Sequence, residues 1–200
     1  MTIPDFELCT MDDRDGWRKL PGEMVYPGRH VSVEECSYLT PTRPETPVPW
    51  TVVHRRPAVA IAPITEDGLL VLISQERLPA QRALWEFPAG QVDESPTHEN
   101  IVRTVLQELD EEIGGELAPG GALSPLGWCF SSQGFTDEHV YLFAARPVHL
   151  VRQPRPVGGE RIAEVKLVTP AELREMVSRN IIQNALTLAL YSQLEARGLL

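Results

Sequence analysis

Glu108, Glu111 and Glu112 stand three and four positions apart in a segment whose apolar residues recur at helical intervals. Val102, Val105, Leu106, Leu109 and Ile113 make up the buried stripe of an amphipathic helix, so the three glutamates share a different, adjacent face. As pure structure this face is unfavourable. Like charges at positions 108 and 112 repel, and carboxylates in a last turn oppose the helix dipole, each by about a few tenths to one kcal/mol. Two readings fit the spacing. One is a solvated acidic face. The other is a face whose oxygens coordinate a hard divalent cation such as Mg²⁺, leaving coordination sites for water and phosphate oxygens.

The helix needs a start, an end and a sheet beneath it. Ser95 is the expected N-cap with Pro96 in the first turn, and the helix runs to about Ile113, where Gly114-Gly115 ends it. Residues 50–56, 58–64 and 69–75 read as strands, the last two joined by a turn at Glu66-Asp67-Gly68, and 85–88 as a short strand stopped by Pro88. Residues 124–131, 139–144 and 162–168 read as further strands, with a Pro-, Gly- and Arg-rich loop at 148–159. Helices at 170–179 and 181–197 close the chain, the second amphipathic. Towards the N-terminus, 1–20 reads as irregular and 31–39 as a strand. Residues 40–49 hold four prolines and read as a loop or extended arm that cannot pair fully. The pattern predicts an α/β (α+β) fold with a mixed β-sheet sandwiched between helices. The expected division is an N-terminal β segment and arm over 1–49 and a main body over 50–200.

Lys plus Arg total 18 against 28 Asp plus Glu, a net charge of −10 that argues against a nucleic-acid partner. It also means that a polyanionic substrate would be repelled unless metal ions or placed arginines offset the charge. Residues 1–18 contain acidic groups and no apolar core, which excludes a signal peptide, and no apolar run approaches bilayer length. Cys9, Cys36 and Cys129 are far apart and odd in number, so neither a disulfide framework nor a zinc site is expected. A soluble, cytoplasmic protein with no membrane partner follows.

Gly90, Glu99 and the run Gln107-Glu108-Leu109-Asp110-Glu111-Glu112-Ile113-Gly114 resemble the signature box of the Nudix hydrolases. That box reads Gly, five residues, Glu, seven residues, then Arg-Glu-apolar-x-Glu-Glu-x-Gly-apolar. Three positions depart from it. Eight residues separate Gly90 from Glu99, the box arginine is Gln107, and the last apolar position is Gly115. The resemblance implies a Nudix fold. It also implies metal ligation by Glu108 and Glu112, with Glu111 as a further ligand or catalytic group and the Ala89 carbonyl completing the set. The expected metal is Mg²⁺, or Mn²⁺ in its place.

Over roughly residues 20–197 the chain is similar to the ADP-ribose pyrophosphatase branch of that family. The similarity is carried by WTVVHR at 50–55, QER at 75–77, WEFPAG at 85–90, SSQGFTDE at 131–138, Gly159-Glu160 and NALTLALY at 184–191. It implies hydrolysis of ADP-ribose to AMP and ribose 5-phosphate. GDP-mannose or another nucleotide sugar is the alternative substrate, and a non-catalytic ligand sensor the alternative function. Trp50 offers a flat face for a nucleobase, or is an ordinary partly buried tryptophan. Arg55 and Arg77 are candidates to grip the diphosphate, since a guanidinium forks onto phosphate oxygens; Arg55 also reads as a surface arginine. His30 stands where the branch often has an aromatic residue, and equally reads as a surface histidine. Glu160 is the expected general base or late metal ligand, with Glu164 and Glu138 as rivals. The branch also implies a homodimer in which the segment before Pro49 reaches its partner.

Overall fold

The computed structural model describes residues 3–157 and 161–200. β1 (Arg18–Pro27), β2 (Ser32–Thr40) and β3 (Arg43–His54) form a three-stranded antiparallel sheet in that order. A seven-stranded mixed sheet follows, built from β4 (Ala58–Thr65), β5 (Leu70–Arg77), β6 (Arg82–Glu86), β7 (Ala89–Gln91), β8 (Gly115–Phe130), β9 (His139–Leu150) and β10 (Ile162–Val168). Its main path is β10-β5-β4-β9-β8, with β6 beside β5 and β7 beside β4. β4 and β9 run parallel, and the crossover between them carries α1 (His98–Ile113). The fold is the α/β sandwich expected from the sequence.

Strand alternation divides the core into two layers. On one face of the sheet Val59, Ile61, Val71, Ile73, Tyr141 and Phe143 pack against Ile101, Val102, Val105, Leu109 and Ile113 of α1. The other face packs Ala60, Ala62, Leu70, Leu72, Leu142 and Ala144 against α2 (Pro170–Ser178) and α3 (Ala185–Ala196) through Leu173, Met176, Leu190 and Leu194. The stripe read from the sequence is therefore the contact face of α1, and it fixes the rotation of the helix about its axis. No helix of the described residues is long and apolar enough to cross a membrane. The three cysteines form no disulfide.

Several boundaries differ from the sequence expectation. Thr97, not Ser95, caps α1, with its hydroxyl accepting from Asn100 N at 3.2 Å. The helix begins at His98, two residues later than expected, and the Ser95 carbonyl takes Thr97 N and Asn100 Nδ2, both at 2.8 Å, in the turn ahead of it that also holds Pro96. The proline-rich stretch is not a free arm. Pro44, Pro47 and Pro49 lie in β3, where Ser37 pairs with Pro49 and Tyr38 with Val48. β3 is the outer strand of its sheet, where a missing N–H is tolerated. It passes through 49 and 50 without a break, so the small sheet ends at His54, inside the expected main body. β1 has no counterpart in the sequence reading, because almost all its residues are exposed and no burial period marks it. β8 and β9 are each longer than expected, and α3 begins at Ala185 with Asn184 as its cap.

Gly114 closes α1 at φ +61°, its N–H turned to Asp110 O and Leu109 O, and a Cβ there would lie 2.1 Å from the backbone oxygen of Arg152. Gly114→Ala should cost about 1–3 kcal/mol through the left-handed backbone alone, with the clash added. A lowered urea midpoint at unchanged slope is the expected reading.

Candidate functional site

β4 and β5 are paired only at Ile64 and Leu70, and then diverge. β6 fills the gap along β5, from Ile73↔Glu86 to Arg77↔Arg82, and β7 fills it along β4, from Ala58↔Gln91 to Ala60↔Ala89. The connection from Glu86 to Gly90 therefore crosses the mouth of the gap, on the side that α1 covers. Two α1 carboxylates meet it there.

Glu112 has no exposed surface, and its Oε2 accepts the backbone N–H of Ala89 at 2.8 Å. Glu108 lies one turn earlier and packs on Gly90, where a Cβ would fall 1.7 Å from Glu108 Oε1. Position 90 is glycine because the glutamate occupies the space a side chain would need. Ile61 N bonds Pro88 O and Val92 N bonds Pro57 O, so 61/88 and 57/92 are hydrogen-bonded pairs of the β4–β7 ladder. Antiparallel ladders alternate such pairs, and Ala89 falls at a non-bonded position. Both its N–H and its C=O therefore turn away from β4, the N–H towards Glu112.

Two carboxylates and one outward carbonyl suit a divalent ion that takes its remaining ligands from water and phosphate. Glu111 is turned to Gln107, whose Nε2 donates to Glu111 Oε1 at 2.9 Å. The amide thus gives the glutamate an uncharged donor from the position of the box arginine. Among the described residues no three Asp, Glu, His or Cys side chains come together closely enough to hold an ion by themselves. The donor set fits a metal that relies on substrate and solvent for the rest of its shell.

Arg77 and Glu86 lie on the same face of the sheet as α1, since Glu86 pairs with Ile73 and Arg77 is four strand positions further on. Glu86 is 1% exposed, and Arg77 forks onto it with Nε at 3.0 Å and Nη2 at 2.6 Å. The sequence reading singled out Arg77 without its partner.

Trp50 and Arg55 lie where β3 meets the turn 131–138 between β8 and β9. Trp50 is half exposed, and its Nε1 donates to Gly134 O at 3.0 Å. A hollow of about 500 Å³ beside the indole is lined by Glu35, Cys36, Pro49, Thr51 and Gly134. Arg55 Nη1 pairs with Glu138 Oε1 at 3.0 Å, and Ser131 Oγ donates to Glu138 Oε2 at 2.6 Å. His30 is exposed in the turn between β1 and β2, and Glu164 is exposed on β10. Glu160 lies outside the described residues.

Sequence reasoning missed His54. Its Nδ1 meets Asp137 Oδ2 at 2.5 Å and its Nε2 meets Glu34 Oε2 at 2.7 Å, and Lys19 Nζ reaches the same Glu34 oxygen. His54 and Asp137 both stand in matched stretches of sequence, which was the available signal, but their pairing across 83 residues had none.

The NUDIX domain family model matches residues 54–186. An ADP-ribose pyrophosphatase of Bacillus subtilis is 29% identical over 136 residues, which cover 68% of this chain and 70% of that protein. An ADP-ribose pyrophosphatase of Mycobacterium tuberculosis is 30% identical over 138 residues, covering 69% of this chain and 64% of that protein. A crystal structure described as an ADP compounds hydrolase superposes with a TM-score of 0.68 at 18% identity, over 91% of this chain and 96% of its own. That likeness speaks for the fold alone.

Gly90→Ala tests the meeting of Glu108 with the strand. The added methyl collides with the far end of a flexible side chain, so the fold should survive with its melting temperature little changed while Glu108 swings away. Mn²⁺ affinity, read by electron paramagnetic resonance of the free ion, should fall by about tenfold or more.

Proposed function

This chain belongs to the Nudix hydrolase family, and we propose that it hydrolyses the diphosphate of a nucleoside diphosphate-linked sugar. ADP-ribose, giving AMP and ribose 5-phosphate, is the substrate that the similarity favours. The observation that carries this reading is the convergence of Glu108 and Glu112 on the Ala89-Gly90 turn.

Glu108, Glu112 and the Ala89 carbonyl would hold Mg²⁺, with Glu111 completing the set once substrate is present. A bound divalent ion supplies positive charge to the diphosphate and lowers the pKa of a water. It also answers the repulsion expected between a chain of net charge −10 and a polyanion. The Ala89 N–H fixes the Glu112 carboxylate, so this oxygen needs no reorientation when the site fills. Arg55 and Arg77 would supply positive charge to the diphosphate, each already anchored on a carboxylate, Arg55 on Glu138 and Arg77 on Glu86, and Trp50 and its hollow would receive the base. Water adds at one phosphorus, the bridging P–O bond breaks, and Glu160 accepts the water proton. Both Glu138 oxygens are engaged, by Arg55 and by Ser131, and Glu164 is exposed on an edge strand, which favours Glu160 among the three.

The same reading makes the protein a homodimer. Met24, Val25 and Tyr26 at the end of β1 are exposed apolar residues on the small sheet, which is the surface proposed to meet a second copy.

Purified protein with Mg²⁺ should release AMP from ADP-ribose faster than it cleaves GDP-mannose in the same screen. Tight ADP-ribose binding without cleavage would make the chain a sensor. Glu112→Gln keeps an oxygen to accept the Ala89 N–H but removes the charge, so turnover should drop by more than about a hundredfold while the far-ultraviolet circular dichroism stays unchanged.

A further inference from the structure

His54 is the last residue of β3, and each of its ring nitrogens faces a carboxylate oxygen: Asp137 Oδ2 on one side and Glu34 Oε2 on the other. A neutral imidazole carries one N–H, so one of these contacts would set a nitrogen lone pair against an anionic oxygen. Only the doubly protonated ring donates to both. The ring therefore works as a cationic clasp between β2 and the turn 131–138.

What it clasps is the substrate end of the proposed site. The other ties between β3 and that turn fall within a few residues of it. Val53 N bonds Phe135 O at 2.8 Å, Arg55 N bonds Asp137 Oδ1 at 3.0 Å, Arg55 pairs with Glu138, and Trp50 Nε1 bonds Gly134 O. Asp137 is shared: one oxygen takes His54, the other the backbone of Arg55. If the Asp137 contact opens, the segment holding Arg55 and the carbonyl holding Trp50 lose their common anchor.

We propose that His54, in its protonated form, is a positioning residue for substrate binding, holding the 131–138 turn against the small sheet so that Trp50 and Arg55 stand ready for base and diphosphate. The inference rests on the function proposed above. The charged groups facing the ring are Glu34 from β2, with Lys19 of β1 behind it, and Asp137 from the turn; Arg55 follows just past the strand end, and Tyr38 of β2 lies near both carboxylates. Burial works against the imidazolium, but the hydrogen bonds to Asp137 and Glu34 outweigh it, and the His54 pKa is raised above the ordinary value of 6.5. Glu34 is held below the usual carboxylate range, first by Lys19 and then by His54. The sign follows from the raised value. The clasp is complete at and below pH 6.5 and is lost as pH rises through the higher, folded-state pKa.

The test compares wild type, His54→Gln and His54→Lys, using ADP-ribose hydrolysis with Mg²⁺ across pH 6 to 9. Wild type should show KM rising by about tenfold as the ring deprotonates, with little change in kcat from this group. His54→Gln should have the raised KM at every pH, and His54→Lys, still charged, should remove the step and keep KM low. An imidazole titration by NMR on the substrate-free protein should place His54 above the ordinary histidine value. Equal KM profiles in all three proteins, or a His54 pKa at or below 6.5, would overturn the inference and leave the proposed function standing. Absence of turnover and of binding in wild type would instead overturn the function, and the inference with it.

Discussion

Glu112 carries a carboxylate into a place with no solvent, and Ala89 gives it a backbone N–H. Burying such a group costs several kcal/mol unless hydrogen bonds and opposite charge compensate it. The rest of the site follows from meeting that requirement. β4 and β5 separate so that β6 and β7 can lay the Glu86–Gly90 connection across the gap, and the apolar stripe of α1 sets the rotation that turns Glu108 and Glu112 towards it. Gly90 then has to lack a side chain, since Glu108 fills the space. Sheet topology, helix packing and glycine placement serve one small volume of space.

The region around Trp50 and Arg55, proposed to take the nucleotide, is organised differently. Polar contacts join the small sheet to the 131–138 turn: His54 with Asp137, Arg55 with Glu138, Val53 N with Phe135 O and Trp50 Nε1 with Gly134 O, while Lys19 and His54 meet on Glu34 within the sheet. Such contacts hold side chains in place while leaving Trp50 half exposed beside its hollow. Their strength depends on protonation and salt far more than an apolar core does. Under the proposed function the two regions respond to different conditions, the carboxylate turn to the ion and the Trp50–Arg55 region to pH.

What the sequence disclosed was local or periodic. The stripe at 102, 105, 109 and 113 appears in the structure as the buried face of α1, and Gly114 ends that helix as its residue type requires. Offsets within one helix also placed Glu108 and Glu112 on the side that reaches Ala89 and Gly90. Features set by tertiary context stayed hidden. Thr97 rather than Ser95 is the cap because the chain turns once more, through the Ser95 carbonyl, before the helix starts at His98, which no pattern in the sequence reveals. Prolines at 44, 47 and 49 read as a loop until β3 is known to be an outer strand. β7, three residues long, is too short to show a period. The partners of Arg77, Arg55 and His54 are brought together by strand pairing or by turns distant in sequence, and only folded geometry identifies them.

Glu108, Glu112 and the Ala89 carbonyl are proposed to form one cation site at which a diphosphate is held. The most direct test is anomalous diffraction from crystals grown with Mn²⁺ and a non-hydrolysable ADP-ribose analogue. An anomalous peak bounded by the two carboxylates and the Ala89 carbonyl, with analogue phosphate oxygens completing the shell, is the predicted result. A peak elsewhere, or analogue bound with no metal at this turn, would contradict it.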